Sequence, residues 1–201
     1  MRAWIATWGL MGLALDALAC SCMSTPLSEK VENARFVGVV RVESTRLRPN
    51  FVKLIKQVEL LKQEGREREV RLPILADFTP VEVVKGDVAN INTLATGFGD
   101  GDCGVALVPG YDYLVIGSPE SGELDIGLCS GSELLGQRSL VASQPDAARW
   151  ARKQPRVAAI RRQIKDGVPI PTCLDNNPRF APRETDECES DASDSSIQGR
   201  D

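Results

Sequence analysis

Histidine is absent from all 201 residues. That absence removes Ser-His-Asp and Cys-His catalysis and every catalytic metal site built on imidazole. No CxxC pair faces a second CxxC, so the usual spacing of a structural zinc site is missing too. The glycine-rich stretch Gly97-Phe98-Gly99-Asp100-Gly101 lacks a following Gly-Lys-Ser/Thr and carries an aspartate that would repel phosphate, so it is not a phosphate loop. No carboxylate pair stands out as an acid/base couple, and the acidic C-terminal run has no EF-hand spacing. No motif calls for a cofactor or an intrinsic metal, and the chain reads as something other than an enzyme.

Long apolar runs are lacking as well. The longest, residues 4–15, is short of the ~20 needed to cross a bilayer as a helix. It follows an early Arg2 and precedes Ala17-Leu18-Ala19, the order of a cleaved signal peptide over residues 1–19. Cleavage there makes Cys20 the first residue of an exported, secreted or periplasmic protein with no transmembrane segment. Excess positive charge is missing too. The net charge is −4, and residues 173–201 hold three arginines against eight carboxylates. The rest is close to neutral and gives no support to nucleic-acid binding.

What the chain does have is short strands and turns. Residues 34–45 are rich in β-branched residues and alternate in their later half. Residues 70–85 and 88–96 read as strands, the first with Pro73 and Pro80 marking an edge or bend. Further short strands are expected near 104–108, 111–117 and 123–129, separated by Pro109-Gly110 and Glu120-Ser121-Gly122 turns. Tyr111 and Tyr113 flank Asp112 and share one face. Residues 51–63 carry apolar side chains at helical spacing and read as a short amphipathic helix or irregular excursion. This pattern belongs to a small β-barrel or sandwich.

A helix follows, with Ser143 as cap and Pro145 in its first turn. A second runs from Pro155 to Ile164 and stops at Gly167, and Trp150 reads as helix packing. Beyond Pro169 the composition cannot bury a core, and residues 169–201 form an acidic, disordered tail.

Six cysteines in an exported chain read as three disulfides, in any of fifteen pairings. Cys173 and Cys188 lie in the tail and close on each other. Cys20 and Cys22 alternate, so they reach different partners rather than each other. Each such link closes a loop of roughly 80 to 110 residues, worth on the order of 4 kcal/mol.

The order Cys20-Ser21-Cys22, Val37-Gly38-Val39-Val40, Val84-Lys85-Gly86, Cys103-Gly104, Pro109-Gly110 with Tyr113-Leu114-Val115, and Leu128-Cys129-Ser130 resembles a netrin-type module. It is similar to the inhibitory domain of tissue inhibitors of metalloproteinases, over roughly residues 20–135. The resemblance implies a mainly β fold, a five-stranded OB-type barrel over residues 20–136, followed by a helical extension over residues 137–168. It also implies disulfides Cys20–Cys103 and Cys22–Cys129.

In the function it implies, the free amine and carbonyl of Cys20 chelate the catalytic zinc of a partner metalloendopeptidase. Ser21 and Cys22 continue the wedge, and Asp100, Gly101 and Asp102 form an adjoining ridge. The rival expectation is an extracytoplasmic structural or protein-interaction module with no inhibitory activity, in which the same cysteines are staples alone. Ala17-Leu18-Ala19-Cys20 is also close to a lipoprotein box. Acylation of Cys20 would strand Cys103 without a partner, and the even cysteine count therefore favours plain cleavage.

Overall fold

A computed structural model describes residues 22, 25–53, 55–56, 60, 72–99, 103–120, 122–137 and 144–174. Six strands run in chain order: β1 (Phe36–Leu47), β2 (Ile74–Lys85), β3 (Thr93–Thr96), β4 (Tyr111–Glu120), β5 (Glu123–Asp125) and β6 (Glu133–Gln137). Three helices accompany them: α1 (Leu27–Asn33), α2 (Gln144–Arg152) and α3 (Pro155–Asp166). Pairing closes the sheet in the order β1-β2-β3-β5-β4-β1, with β3 and β5 parallel and every other pair antiparallel. This is the five-stranded barrel of OB type that the motif order implied. β6 extends the sheet beyond the barrel by pairing with the start of β4.

β1 reads as a nearly unbroken apolar run at its start because that half is buried on both faces. Phe36, Val40 and Val42 point into the barrel with Phe78, Leu94, Tyr113, Val115 and Leu124. Val37 and Val39 point outward, opposite Ile116 and Leu114 of β4. A second apolar cluster covers this outer face with Leu27 and Val31 of α1, Ala151 of α2, and Val157, Ala159 and Ile160 of α3. Gly38 sits between the two layers, where an added Cβ would lie 2.7 Å from the Glu82 carbonyl oxygen and 2.7 Å from the Phe36 ring. Only glycine fits there.

Polar groups pin the layers together. Arg41 and Asp112 are register partners, and Arg41 donates to both carboxylate oxygens of the fully buried Asp112 (2.9 and 3.2 Å). Glu82 of β2 receives Arg152 of α2 at 3.0 Å and also Arg161 of α3, so one carboxylate holds both helices. Arg156 pairs with Glu133 at 2.6 Å and ties α3 to β6. Lys85 donates to the carbonyls of Val31 and Glu32 (2.8 and 2.7 Å), a cation capping the C-terminal end of α1.

Several expectations hold. Tyr113 lies inside the barrel with Tyr111 packed against the same cluster, and Trp150 packs against the outer one. α3 begins at Pro155 and ends at Gly167, whose φ of 69° suits a left-handed cap. Helical structure is present at residues 51–53, 55–56 and 60. Pro80 lies on β2 past the last residue paired with β3, where a missing N–H costs no ladder bond on that side.

Others are corrected. The strand expected over 88–96 is limited to Thr93–Thr96: Asp87 accepts the Ala89 N–H (2.8 Å) and Ile91 bonds back to Val88 (2.9 Å), giving turns instead. Residues 104–108 are extended but pair with side chains rather than a strand. Val105 donates to Thr96 Oγ1 and Val108 to Tyr113 Oη, each at 2.8 Å. The strand expected over 123–129 stops at Asp125, and Leu128–Ser130 forms a 3-10 turn. β6 had no counterpart in the sequence reading. Residues 1–19 and the tail beyond Leu174, like Ser143, lie outside the described residues.

Candidate functional site

The site implied by the cysteine pattern is built around the turn that carries Cys129. Gly127 is extended, Leu128–Ser130 winds one short turn, and Gly131 leaves it with φ of 85°. Two serines lock that turn. The Ser130 hydroxyl donates to the Gly127 carbonyl (2.7 Å) and accepts the Ser132 N–H (3.2 Å). The buried Ser132 hydroxyl accepts the Ile116 N–H (2.9 Å) and donates to its carbonyl (3.2 Å). The turn is thereby fixed to β4, at the centre of the barrel wall.

Onto this turn the N-terminal segment is bolted. Cys22 and Cys129 form a disulfide with S–S 2.06 Å and Cα–Cα 5.2 Å, across 107 residues of sequence. Five residues later α1 begins, with Leu27 and Val31 sunk into the outer core. The segment is held at two places, covalently at Cys22 and by packing at α1.

Cys103 stands beside the same turn. Its carbonyl accepts the Leu128 N–H at 2.8 Å, and a Cβ on Gly127 would lie only 2.9 Å from that oxygen. Its φ is 60°, unusual for a residue with a Cβ. Gly104 approaches Gly97 so closely that an added Cβ would come within 2.4 Å of the Gly97 carbonyl carbon. The base of the glycine-rich loop is therefore pinched shut, and Cys103 is presented at its edge. Cys103 and Cys173 are each disulfide-bonded, to partners outside the described residues.

The structure thus brings Cys22, Cys129 and Cys103 together. Cys20, Ser21, Asp100, Gly101, Asp102 and Cys188 lie outside the described residues. Among the described residues no group of three or more Cys, Asp or Glu could hold a metal ion. No described helix is long and apolar enough to cross a membrane.

Two features of this end of the barrel were missed in sequence. Phe98, flanked by glycines, is 59% exposed and meets Phe51 edge to face at 5.7 Å. This contact ties the excursion after β1 to the pinched loop; the Gly-Phe-Gly string was the available signal. Arg48 closes the neck of that excursion. It donates to the Leu72 carbonyl (2.8 Å) and to both carboxylate oxygens of Glu123 (2.9 and 2.5 Å). On the neighbouring strand surface Arg46 lies 2.5 Å from Asp77. That hydrogen bond, helped by one from Ser44, holds the Asp77 carboxyl below its ordinary range and raises Arg46 in turn.

No protein-family model matches the chain, and no curated protein matches it in sequence.

Proposed function

We propose that the protein is an exported inhibitor of a zinc metalloendopeptidase, acting through an N-terminus that begins at Cys20. The observation that carries this reading is the Cys22–Cys129 disulfide beside Cys103. A residue two positions past the expected cleavage site is bolted to the barrel, and the second cysteine needed for a Cys20–Cys103 link stands one hydrogen bond away. A segment held in this way loses little freedom on docking, which favours tight binding by a short wedge.

The chemistry follows from the metal. A catalytic zinc keeps one coordination position open, filled by water. The α-amine and carbonyl oxygen of Cys20 form a five-membered chelate that displaces it. The amine must first lose its proton, which its ordinary pKa of ~7.7–8.0 allows near neutrality and a nearby zinc favours further. Ser21 then enters the pocket beside the metal, Cys22 continues the wedge, and Asp100, Gly101 and Asp102 rest on the rim. The zinc belongs to the partner, and this chain supplies ligands and shape.

The test is a titration of the mature, oxidised protein against a broad-specificity zinc metalloendopeptidase, with its α-amine free and with it acetylated. N-terminal sequencing and intact mass first establish that Cys20 leads the chain unacylated. The free form should inhibit stoichiometrically and the acetylated form should lose at least most of that inhibition. Equal inactivity of the two forms removes the chelation reading and leaves an extracytoplasmic interaction module.

A further inference from the structure

The near-neutral sum over the folded part hides a segregated charge. On α2, Arg149, Arg152 and Lys153 stand at spacings that share one helix face, opposite the buried Ala147 and Ala151. On α3, Arg161, Arg162 and Lys165 do the same, opposite Val157 and Ile160. Glu82 joins the two triplets, since Arg152 and Arg161 share its carboxylate. Arg149, Lys153, Arg162 and Lys165 are exposed, and no ion pair or hydrogen bond to their side chains is present among the described residues. The acids of these helices, Asp146 and Asp166, sit near their ends. Six cations thus line one solvent-facing surface with a single buried carboxylate among them.

The chain that leaves these helices carries the opposite charge. Ile170 packs into the same cluster as α2 and α3, so the tail is rooted beside the stripe. Residues 184–194 contain Glu184, Asp186, Glu187, Glu189, Asp191 and Asp194 and no lysine or arginine. Six carboxylates answer six cations. Ten residues separate Leu174 from Glu184 and can span at most about 33–36 Å, against about 18 Å for the length of α3. A tethered segment within reach acts at an effective concentration on the order of millimolar.

We propose that the α2–α3 stripe is a docking surface for the chain's own acidic segment, residues 184–194. While docked, the segment withholds the stripe from external polyanions, and salt releases it by screening. The expected Cys173–Cys188 disulfide would hold the middle of that segment near its root.

Zero-length carbodiimide cross-linking of the oxidised full chain, read by peptide mass spectrometry, tests this directly. Lys153 or Lys165 should join a carboxylate within 184–194 in the monomer, and the product should disappear in high salt. A second measurement uses heparin resin as the polyanionic probe. The variant E184Q, D186N, E187Q, E189Q, D191N and D194N, which keeps Cys188, should elute at higher salt than the native chain. Identical elution overturns the proposal, as do cross-links confined to Asp146 and Asp166 or to a second molecule. Later elution without the intramolecular cross-link also overturns it, and assigns the stripe to an external polyanion instead.

Discussion

Two regions of this molecule are held together by different physics. The flank, where α1, α2 and α3 cover β1 and β4, rests on interlocking aliphatic side chains and a few ion pairs. The end of the barrel that carries Cys22, Cys103 and Cys129 rests on covalent links, glycine contacts and serine hydrogen bonds. At that end an aromatic ring is left in solvent at Phe98. Packing suffices where two surfaces can close on each other. Where a short segment must stay at the rim and face outward, there is too little apolar surface to hold it, and cross-links take over.

The largest effect that sharpens this contrast comes from the double substitution Cys22→Ser and Cys129→Ser. Removing a link across 107 residues should cost about 4–5 kcal/mol on the loop-entropy account, read by urea denaturation. Hydrogen exchange should quicken first around residues 127–131, with α2 and α3 protected longer. Equal loss in both regions would break the comparison.

A smaller effect probes the other side. Ile160→Ala empties a fully buried site of the outer cluster and should cost roughly 3 kcal/mol. The disulfide map and the exchange of residues 127–131 should stay as they are, because the cysteine turn is anchored through Ser132 to β4 rather than through α3.

The smallest effect serves as a control outside both regions. The Asp77 carboxyl lies below its ordinary 3.8, chiefly through the Arg46 hydrogen bond and then Ser44. A lowered carboxyl pKa adds stability above the ordinary value, and that stability is lost as pH falls through the lowered one. Asp77→Asn should therefore lower the melting temperature slightly near neutrality and reduce its decline in acid. The free-energy change should be no more than about 0.5 kcal/mol, since both side chains are 44% exposed and screened. A native-like acid decline in the variant would show that this pair is not the source.

Much of the barrel was legible because its signals are local. β1, β4 and α3 announced themselves through β-branched runs, flanking turns, and a proline and glycine at the helix ends. Residues 88–92 and 104–108 misled for one shared reason. Their apolar residues do pack on the barrel, as Val88, Ile91, Val105 and Leu107 show. The periodicity signal reports burial, while strand pairing depends on which neighbour offers a free backbone. β6 was illegible on the same grounds, since its Glu-Leu-Leu-Gly-Gln pattern has little strand character and needs the start of β4 beside it. Phe98 looked like one more loop residue until Phe51 arrived from the excursion after β1.

By itself the sequence determined the elements with strong local grammar, the even set of cysteines, and the chemistries that a chain without histidine must forgo. Only tertiary structure decided which strands close the barrel, which turn receives Cys22, and how cations scattered through two helices become one surface. Side-chain period and turn residues are written within a few positions of each other. Closure, cross-linking and charge clustering depend on distances between residues far apart in the chain, which no local pattern encodes.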